Sequence, residues 1–262
     1  MNEWMGFDVV AVSELLGGEE IEWQVEHVAE IGSTNDELIA RAKRGDTEGR
    51  VLVTDHQSAG RGRQRREWFD RPGEDLLFSA LLRPRVSAEA HGLLPLLTGV
   101  ALVEALKQLG GSGFEAKWPN DVLFAGRKVG GVLVEADIVA GYAVVGVGVN
   151  LLGRPEAFPR DLRQIATTAY AATGKEIGRE EALAAILSRM GMWYRALRED
   201  GPRAVVAAYR QMDTLAGKEV KVETGNARVS GIAEGIDDSG RLVVSSADGL
   251  VVVDSGEVHL LE

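Results

Sequence analysis

Phe114-Glu115-Ala116-Lys117-Trp118-Pro119-Asn120-Asp121 runs on into Val122-Leu123-Phe124-Ala125-Gly126-Arg127-Lys128-Val129-Gly130-Gly131-Val132-Leu133-Val134-Glu135, and this stretch decides how the chain is read. Two apolar runs flank Ala125-Gly126-Arg127, the pattern of a β-hairpin. Folding back at that turn brings Lys128 towards Asn120 and Asp121, so an ammonium, an amide and a carboxylate converge. A third run, Tyr142 to Val149, alternates glycine and valine through Gly146-Val147-Gly148-Val149 and ends at Asn150. Glycine inside a strand lets a ligand or another backbone lie close. The same spacing also suits a buried strand with a bulge.

Upstream, Val9 to Leu16 has helical apolar spacing and stops at Gly17-Gly18, and Ile21 to Val28 reads as a strand. Gly32-Ser33-Thr34-Asn35 follows. Thr34 with Glu37 fits a capping box, Leu38, Ile39 and Ala42 give an apolar stripe, and Gly45 ends a helix of about ten residues. Its first turn offers free N–H groups beside two hydroxyls and an amide, suited to a neutral polar ligand or an anion; capping alone also accounts for Ser33 and Thr34. Val51 to Thr54 reads as a short buried strand entering Gln57-Ser58-Ala59-Gly60-Arg61-Gly62-Arg63-Gln64-Arg65-Arg66-Glu67-Trp68. Four arginines and two glycines fall within nine residues there, in a chain of net charge −11. Glycines let backbone N–H groups approach a ligand and guanidiniums grip phosphate or carboxylate through paired hydrogen bonds. An anion-binding loop is one reading and a solvated basic turn the other. Asp75 to Leu82 is a further apolar strand, and Ala88 to Leu109 turns helical, with Pro95 placed to break or open the helix.

Downstream, Glu180 to Arg198 is an amphipathic helix, and Pro202 to Met212 a second with proline in its first turn. From Leu215 the pattern changes to short Val-rich runs at Glu219 to Glu223, Ala227 to Ala233, Leu242 to Ser245, Val251 to Val253 and Val258 to Leu261, with turns at Gly225-Asn226, Asp238-Ser239-Gly240 and Asp248-Gly249. Short strands at this spacing describe a small β-barrel. The expected domains are residues 1–213 and 214–262.

The acidic balance disfavours generic nucleic-acid binding. Without cysteine, disulfides, thiolate zinc sites and a cysteine nucleophile are excluded. The histidines, at 27, 56, 91 and 259, lack metal-ligand spacing. No signal peptide or spanning helix is evident, so a cytoplasmic location is expected, with no membrane partner. Walker, nucleophile-elbow, zincin and Rossmann motifs are all missing. The remaining parts suit a reaction that gathers negative charge without an enzyme nucleophile. Acyl adenylation is such a reaction, because cations offset repulsion between a carboxylate and the α-phosphate of ATP.

Ser33-Thr34-Asn35, Gln57 with Gly60-Arg61-Gly62-Arg63 and Trp68, Lys117 to Asp121, Lys128 to Glu135 and Gly146 to Asn150 together resemble the biotin protein ligases in order and approximate spacing. The resemblance runs from about residue 25 to the end. It implies an α+β fold: a class II synthetase-like biotin/lipoate ligase catalytic domain, a mixed sheet with helices, followed by an SH3-like β-barrel. The implied activity joins biotin and ATP into biotinyl-5′-adenylate with release of pyrophosphate, then transfers biotin to a lysine of a biotin carboxyl carrier protein. By matching position, Ser33, Thr34, Asn35, Gln57, Arg61, Gly62, Arg63 and Gly131 would line the biotin side. Lys128 would hold the biotin carboxylate and the transferred phosphate, and with Arg63 would be catalytic. Trp68 would pack near adenine, while Lys117, Asn120, Asp121 and Asn150 would arrange ATP phosphates, ribose or Mg2+. No fixed metal site is implied; Mg2+ would enter with ATP near Asp121.

One position departs from the family pattern: its loop continues Gly-Arg-Gly-Arg-x-Gly-Arg-x-Trp, and here Arg65 stands at the later glycine. Only 32 residues precede Ser33, fewer than the roughly 40 of a self-standing domain, so the DNA-binding domain of some relatives is not expected. A homodimer stays open. A loop dense in like charge is expected to be mobile until an anion arrives.

Overall fold

The computed structural model describes residues 6–17, 21–225 and 227–261, the side chains of residues 88 and 89 excepted. Gly18 and Asn226, assigned to turns from the sequence, lie outside the described residues. Helix α1 (Val9–Leu15) is capped by Asp8, whose carboxylate accepts from the N–H groups of Val10 and Ala11. Strand β1 (Gln24–Ile31), helix α2 (Thr34–Lys43) and strand β2 (Arg50–Gln57) form a crossover whose strands pair in parallel. After β3 (Leu76–Leu82) and the short α3 (Ala88–His91), Pro95 opens α4 (Leu94–Gly110) instead of breaking it. The expected hairpin is β5 (Asp121–Phe124) and β6 (Arg127–Asp137), with β4 (Phe114–Lys117) before it and β7 (Tyr142–Val149) after.

These strands make one mixed sheet in the order β1-β2-β3-β7-β6-β5-β4. Only the β1/β2 pair is parallel. Because side chains alternate faces along a strand, Val51, Val53, Phe78, Ala80, Val145 and Val147 fall on one face, buried in the main core. The opposite face carries Leu52, Leu81 and Val144 against Leu38 and Ala42 of α2. Further along that second face the apolar side chains give way: Ser79 pairs with Gly146, Leu77 with Gly148, and Gly131 with Gly148. The glycine–valine alternation of β7 thus assigns valine to the core and glycine to an open floor. Its register with both neighbours is unbroken, and the nearby irregularity lies between Val122 and Leu123 of β5.

The short α5 (Ala169–Thr173), which sequence periodicity did not reveal, precedes α6 (Arg179–Glu199) and α7 (Pro202–Arg210). Strands β8 (Glu219–Glu223), β9 (Arg228–Ile236), β10 (Leu242–Ser246), β11 (Gly249–Val253) and β12 (Glu257–Leu260) form an antiparallel sheet in the order β11-β10-β9-β8-β12. Residues Met212 to Thr214 run beside β4, through Ala116 N to Met212 O at 2.8 Å and Thr214 N to Ala116 O at 2.9 Å. Leu215, Val220, Val222 and Leu242 belong to the same buried cluster as α4 and the large sheet, and the Trp118 indole N–H donates to Gly240 O at 3.0 Å. The small sheet is therefore packed against the large one and brings its β12 end to the cleft. Among the described residues no helix is long and apolar enough to cross a membrane.

Candidate active site

The glycine floor lies in a cleft of about 680 Å³, and every residue to which the family resemblance gave a binding or catalytic role lines it. Its inner end is lined by uncharged side chains, with the Glu135 carboxylate bonded to Asn35. Ser33, not Thr34, caps α2, its Oγ accepting from Asp36 N at 3.4 Å. The one-residue shift frees Thr34, whose N–H and hydroxyl donate to Gln57 Oε1 at 2.9 and 3.1 Å. Ser79 Oγ stands 2.7 Å from Thr34 Oγ1 and 2.6 Å from Asn35 Oδ1; with one proton it donates to only one of them at a time. Asn35 Nδ2 donates to Glu135 Oε2 at 2.7 Å and Leu133 O at 3.3 Å. Ser33, Thr34, Asn35 and Ser79 are all buried, so their geometry is fixed by these protein partners and not by water.

The floor needs glycine for reasons of space. A Cβ on Gly146 would come within 2.2 Å of Asn35 Oδ1, and one on Gly148 within 2.5 Å of the Trp68 ring. At Gly131 it would stand 3.0 Å from Lys128 Nζ and 3.2 Å from Trp68. Trp68 therefore lies on backbone at the middle of the cleft, with Lys128 Nζ 5.3 Å from its ring centroid.

The arginine loop forms the roof. Trp68 N donates to Gly60 O at 3.0 Å and Gly62 N to Arg66 O at 2.7 Å, closing a compact turn. Gln64 and Arg65 both take positive φ, 55° and 60°. Glycine tolerates this conformation best, and Arg65 is the position where the family pattern has it. Arg61 pairs with Asp36, and its Nη2 lies 3.1 Å from both oxygens of Glu135. The Asp36 hydrogen bond pushes the Arg61 pKa up, and Arg61 holds the Asp36 carboxyl below its usual range. Arg63 Nη1 donates to Gly256 O at 3.2 Å and Asn120 Oδ1 at 3.4 Å, and burial lowers its pKa. Arg66 pairs with Glu257 at the start of β12. This corrects the expectation of a loop held open by its own charge, since these three guanidiniums each have partners on other segments.

At the outer end Lys128 Nζ lies 2.6 Å from Asp121 Oδ1. Lys117 is half-buried, and burial lowers its pKa against the opposing pull of Asp121. Asn120 Nδ2 donates to Val132 O at 2.7 Å, and Asn150 Nδ2 to Thr167 O at 3.1 Å. Lys128 itself is strapped by Ile165 and Thr167, through Lys128 N to Ile165 O and Thr167 N to Lys128 O, each 2.8 Å. The hairpin and this strap fix the backbone that carries the ammonium, leaving its side chain to swing.

Four contributors were not singled out from the sequence. Ser79 left a signal, as the polar residue inside the buried run Leu76–Leu82. Glu135 ended a quoted motif without a role. Gly256 and Glu257, which line the cleft from the small domain, carried no local signal.

Comparison with known proteins agrees with this geometry. Residues 31–150 match the model of the biotin/lipoate A/B protein ligase family, and residues 216–261 that of the biotin protein ligase C-terminal domain. The chain is 36% identical over 246 residues to a biotin–[acetyl-CoA-carboxylase] ligase of Mycobacterium tuberculosis, covering 90% of this chain and 89% of that one. It is 34% identical to the enzyme of the same name from Paracoccus denitrificans, covering 88% of this chain and 98% of the relative. The solved biotin protein ligase of Aquifex aeolicus in complex with biotin and ATP superposes with a TM-score of 0.80 at 30% identity, over 92% of this chain and 100% of that one. With a neutral pocket, a glycine floor and a cationic mouth in one cleft, and this likeness along nearly all its length, the chain belongs to the biotin protein ligases.

Proposed function

We propose that the chain activates biotin with ATP and transfers it to a lysine of a biotin carboxyl carrier protein. In the first step a biotin carboxylate oxygen attacks the α-phosphorus, the bond to the β-phosphate oxygen breaks, and pyrophosphate leaves with that electron pair. In the second, the lysine amine attacks the acyl carbon, the bond to the AMP oxygen breaks, and the amine loses a proton.

The reading rests on one observation above all: a neutral hydrogen-bonded pocket and a cationic cluster are joined by a floor of Gly131, Gly146 and Gly148. A ureido ring offers N–H donors and a carbonyl acceptor without charge, which suits Ser33, Thr34, Asn35, Gln57 and the α2 N-terminus. With the Trp68 ring moved off Gly131 and Gly148, the aliphatic tail would cross the glycine floor towards Lys128, leaving the carboxylate where positive charge converges. There Lys128 would shield the two anions from one another and stabilise the pentavalent phosphorus, since a fixed charge is worth most where charge accumulates. Lys117, Asn120 and Asn150 would set the phosphates and ribose, with Trp68 beside the adenine. Asp121 and Asn120 carry oxygens of the kind a hard cation takes, and Mg2+ arriving with ATP would enter near them in exchange for their contacts with Lys128 and Arg63. Arg61 and Arg63 would close over the adenylate and keep water from the anhydride.

Incubation with biotin, Mg-ATP and an apo carrier domain, followed by mass spectrometry, tests this. Biotinyl-5′-AMP should appear first and carrier heavier by one biotinyl group second. Pyrophosphate exchange that proceeds with lipoate and not with biotin would reject the reading. That outcome runs against the inner pocket, because a dithiolane ring has no N–H to pair with its buried oxygens, and unpaired buried groups cost about 1–3 kcal/mol each.

A further inference from the structure

Where the arginine loop returns to the sheet it meets the end of β2 in a contact that is no part of the cleft wall. His56 is the next-to-last residue of β2, and Asp70 follows Trp68 by two positions. His56 Nδ1 lies 2.9 Å from Asp70 Oδ2. The Asp70 side chain is 3% exposed and that of His56 38%, so a buried carboxylate is closed off by an imidazole that reaches water. The same carboxylate accepts from the backbone N–H of Gln57, whose side chain holds Thr34. Gly73 N to Asp55 O at 3.4 Å and Trp68 N to Gly60 O at 3.0 Å are the other ties across this neck. Asp70 therefore joins the outgoing and returning strands of the loop and connects both to the inner pocket.

We propose that His56 and Asp70 form a protonation-dependent clamp at the neck of the arginine loop, with His56 a positioning residue that keeps Trp68 and Arg63 over the cleft while biotinyl-5′-AMP is held. The second half of the proposal rests on the functional reading above. The groups facing His56 are Asp70 from the returning loop and Glu30, its register partner on β1. Beyond Asp70 stands Asp75, paired with Arg71. The hydrogen bond to Asp70, aided by the charges of Asp70 and Glu30, holds the His56 pKa above its ordinary 6.5, while burial raises that of Asp70. A base with a raised folded pKa contributes its full stabilisation below the unfolded value and loses it as pH rises through the folded one. The clamp is tight in mild acid and loosens as the imidazole sheds its charge. Asp75, pushed up to about 6 by burial, titrates in the folded state around that value, so its charge change overlaps the acid end of the range, and the comparison with His56→Gln separates the two.

The test reads the loop directly and then the intermediate. Hydrogen exchange of backbone amides in residues 58–69, corrected for intrinsic exchange, is followed between about pH 6 and 9 without substrates. In the wild type, protection should fall by about two- to fivefold across that range, the size expected of one partly exposed ion pair. His56→Gln keeps a hydrogen-bonding side chain without the charge, and should hold the loose value at every pH. Release of biotinyl-5′-AMP should follow the same curve, faster at high pH in the wild type and uniformly fast in the variant. Loop exchange without a pH step, or a step that survives His56→Gln, would overturn the clamp. If no adenylate forms at any pH while the exchange step is present and is lost in the variant, the clamp stands and the functional reading falls.

Discussion

The two ends of the cleft hold their polar groups in opposite ways. At the inner end, Ser33, Thr34, Asn35 and Ser79 are buried, Ser79 is bonded to Thr34 and Asn35, and Ser33 caps α2, so their orientations are settled before any ligand arrives. At the outer end, Lys128, Arg63 and Arg66 are held by groups from two separate places, Asp121 on the hairpin and Gly256-Glu257 at the start of β12. A neutral network loses little by being rigid. Cations in an anion site must instead be able to exchange one partner for another, and a lysine with a long flexible stem beside a carboxylate does this readily. Selectivity is thus built into the fold's interior, and reactivity into contacts that can be remade.

The sharpest way to break this contrast is Lys128→Ala. The outer end should lose its function while the inner end keeps its own: adenylation should fall by about 10²–10³, as for loss of one preorganised transition-state contact, and biotin affinity should change by less than about tenfold. Pyrophosphate exchange and calorimetry with biotin measure the two. Equal losses in both would mean that Lys128 serves binding and not chemistry.

The complementary substitution is Gly146→Ala. Its Cβ meets Asn35 Oδ1 at 2.2 Å, so Asn35 must turn and give up its place beside Ser79 and Glu135. Overpacking of this kind costs about 1–3 kcal/mol, and biotin affinity should drop by roughly ten- to a hundredfold on that scale, with ATP affinity nearly unchanged. An unaffected biotin affinity would show that the inner network adapts and is not preset.

A smaller effect separates the two ends by pH. Burial lowers the Lys117 pKa from 10.5, so its charge is lost as pH rises through a value below the usual lysine range. ATP affinity should weaken by a few-fold on that alkaline limb, and biotin affinity should not follow it. Lys117→Arg should shift the limb upward, since arginine stays charged. Stability runs with the opposite sign: folding disfavours the charged amine, so the cost is present at neutral pH and fades as pH climbs from the lowered pKa towards the ordinary one. A limb unmoved in Lys117→Arg would assign it to another group.

How much of this was legible in the sequence depends on the range of the contact. The strands, the hairpin and the glycine–valine alternation are local patterns, and the hairpin turn and β7 fall where periodicity put them. The α2 cap slipped by one residue because Ser33 and Thr34 are adjacent hydroxyls and only packing decides which one caps. Helix α5 is too short for a periodic signal. Ser79 meets Asn35 across 44 positions, Asn35 meets Glu135 across 100 and Arg66 meets Glu257 across 191; no window of sequence contains such pairs. The arginine loop was misread in its electrostatics for the same reason, since its cations are visible as a run and their carboxylates are scattered.

The smallest predicted effect concerns the position where the chain leaves its family's pattern. Arg65 sits at φ 60°, directly after Gln64 at φ 55°, and a side chain in the left-handed region costs about 1–2 kcal/mol. Arg65→Gly removes that strain, though the freer unfolded chain returns about 0.5–1 kcal/mol of it. The net gain should therefore be under about 1.5 kcal/mol, which for a chain of this size raises Tm by no more than about 3–6 °C. Amide exchange within residues 61–67 should slow by a similar factor, while Arg61, Arg63 and Arg66 keep their partners because none of them bonds to Arg65. The roof would then approach the rigidity of the inner end. Slower release of biotinyl-5′-AMP from this variant would show that the outer contacts owe part of their exchangeability to two strained residues in the loop, and faster release would show that the arginine side chain itself steadies the closed roof.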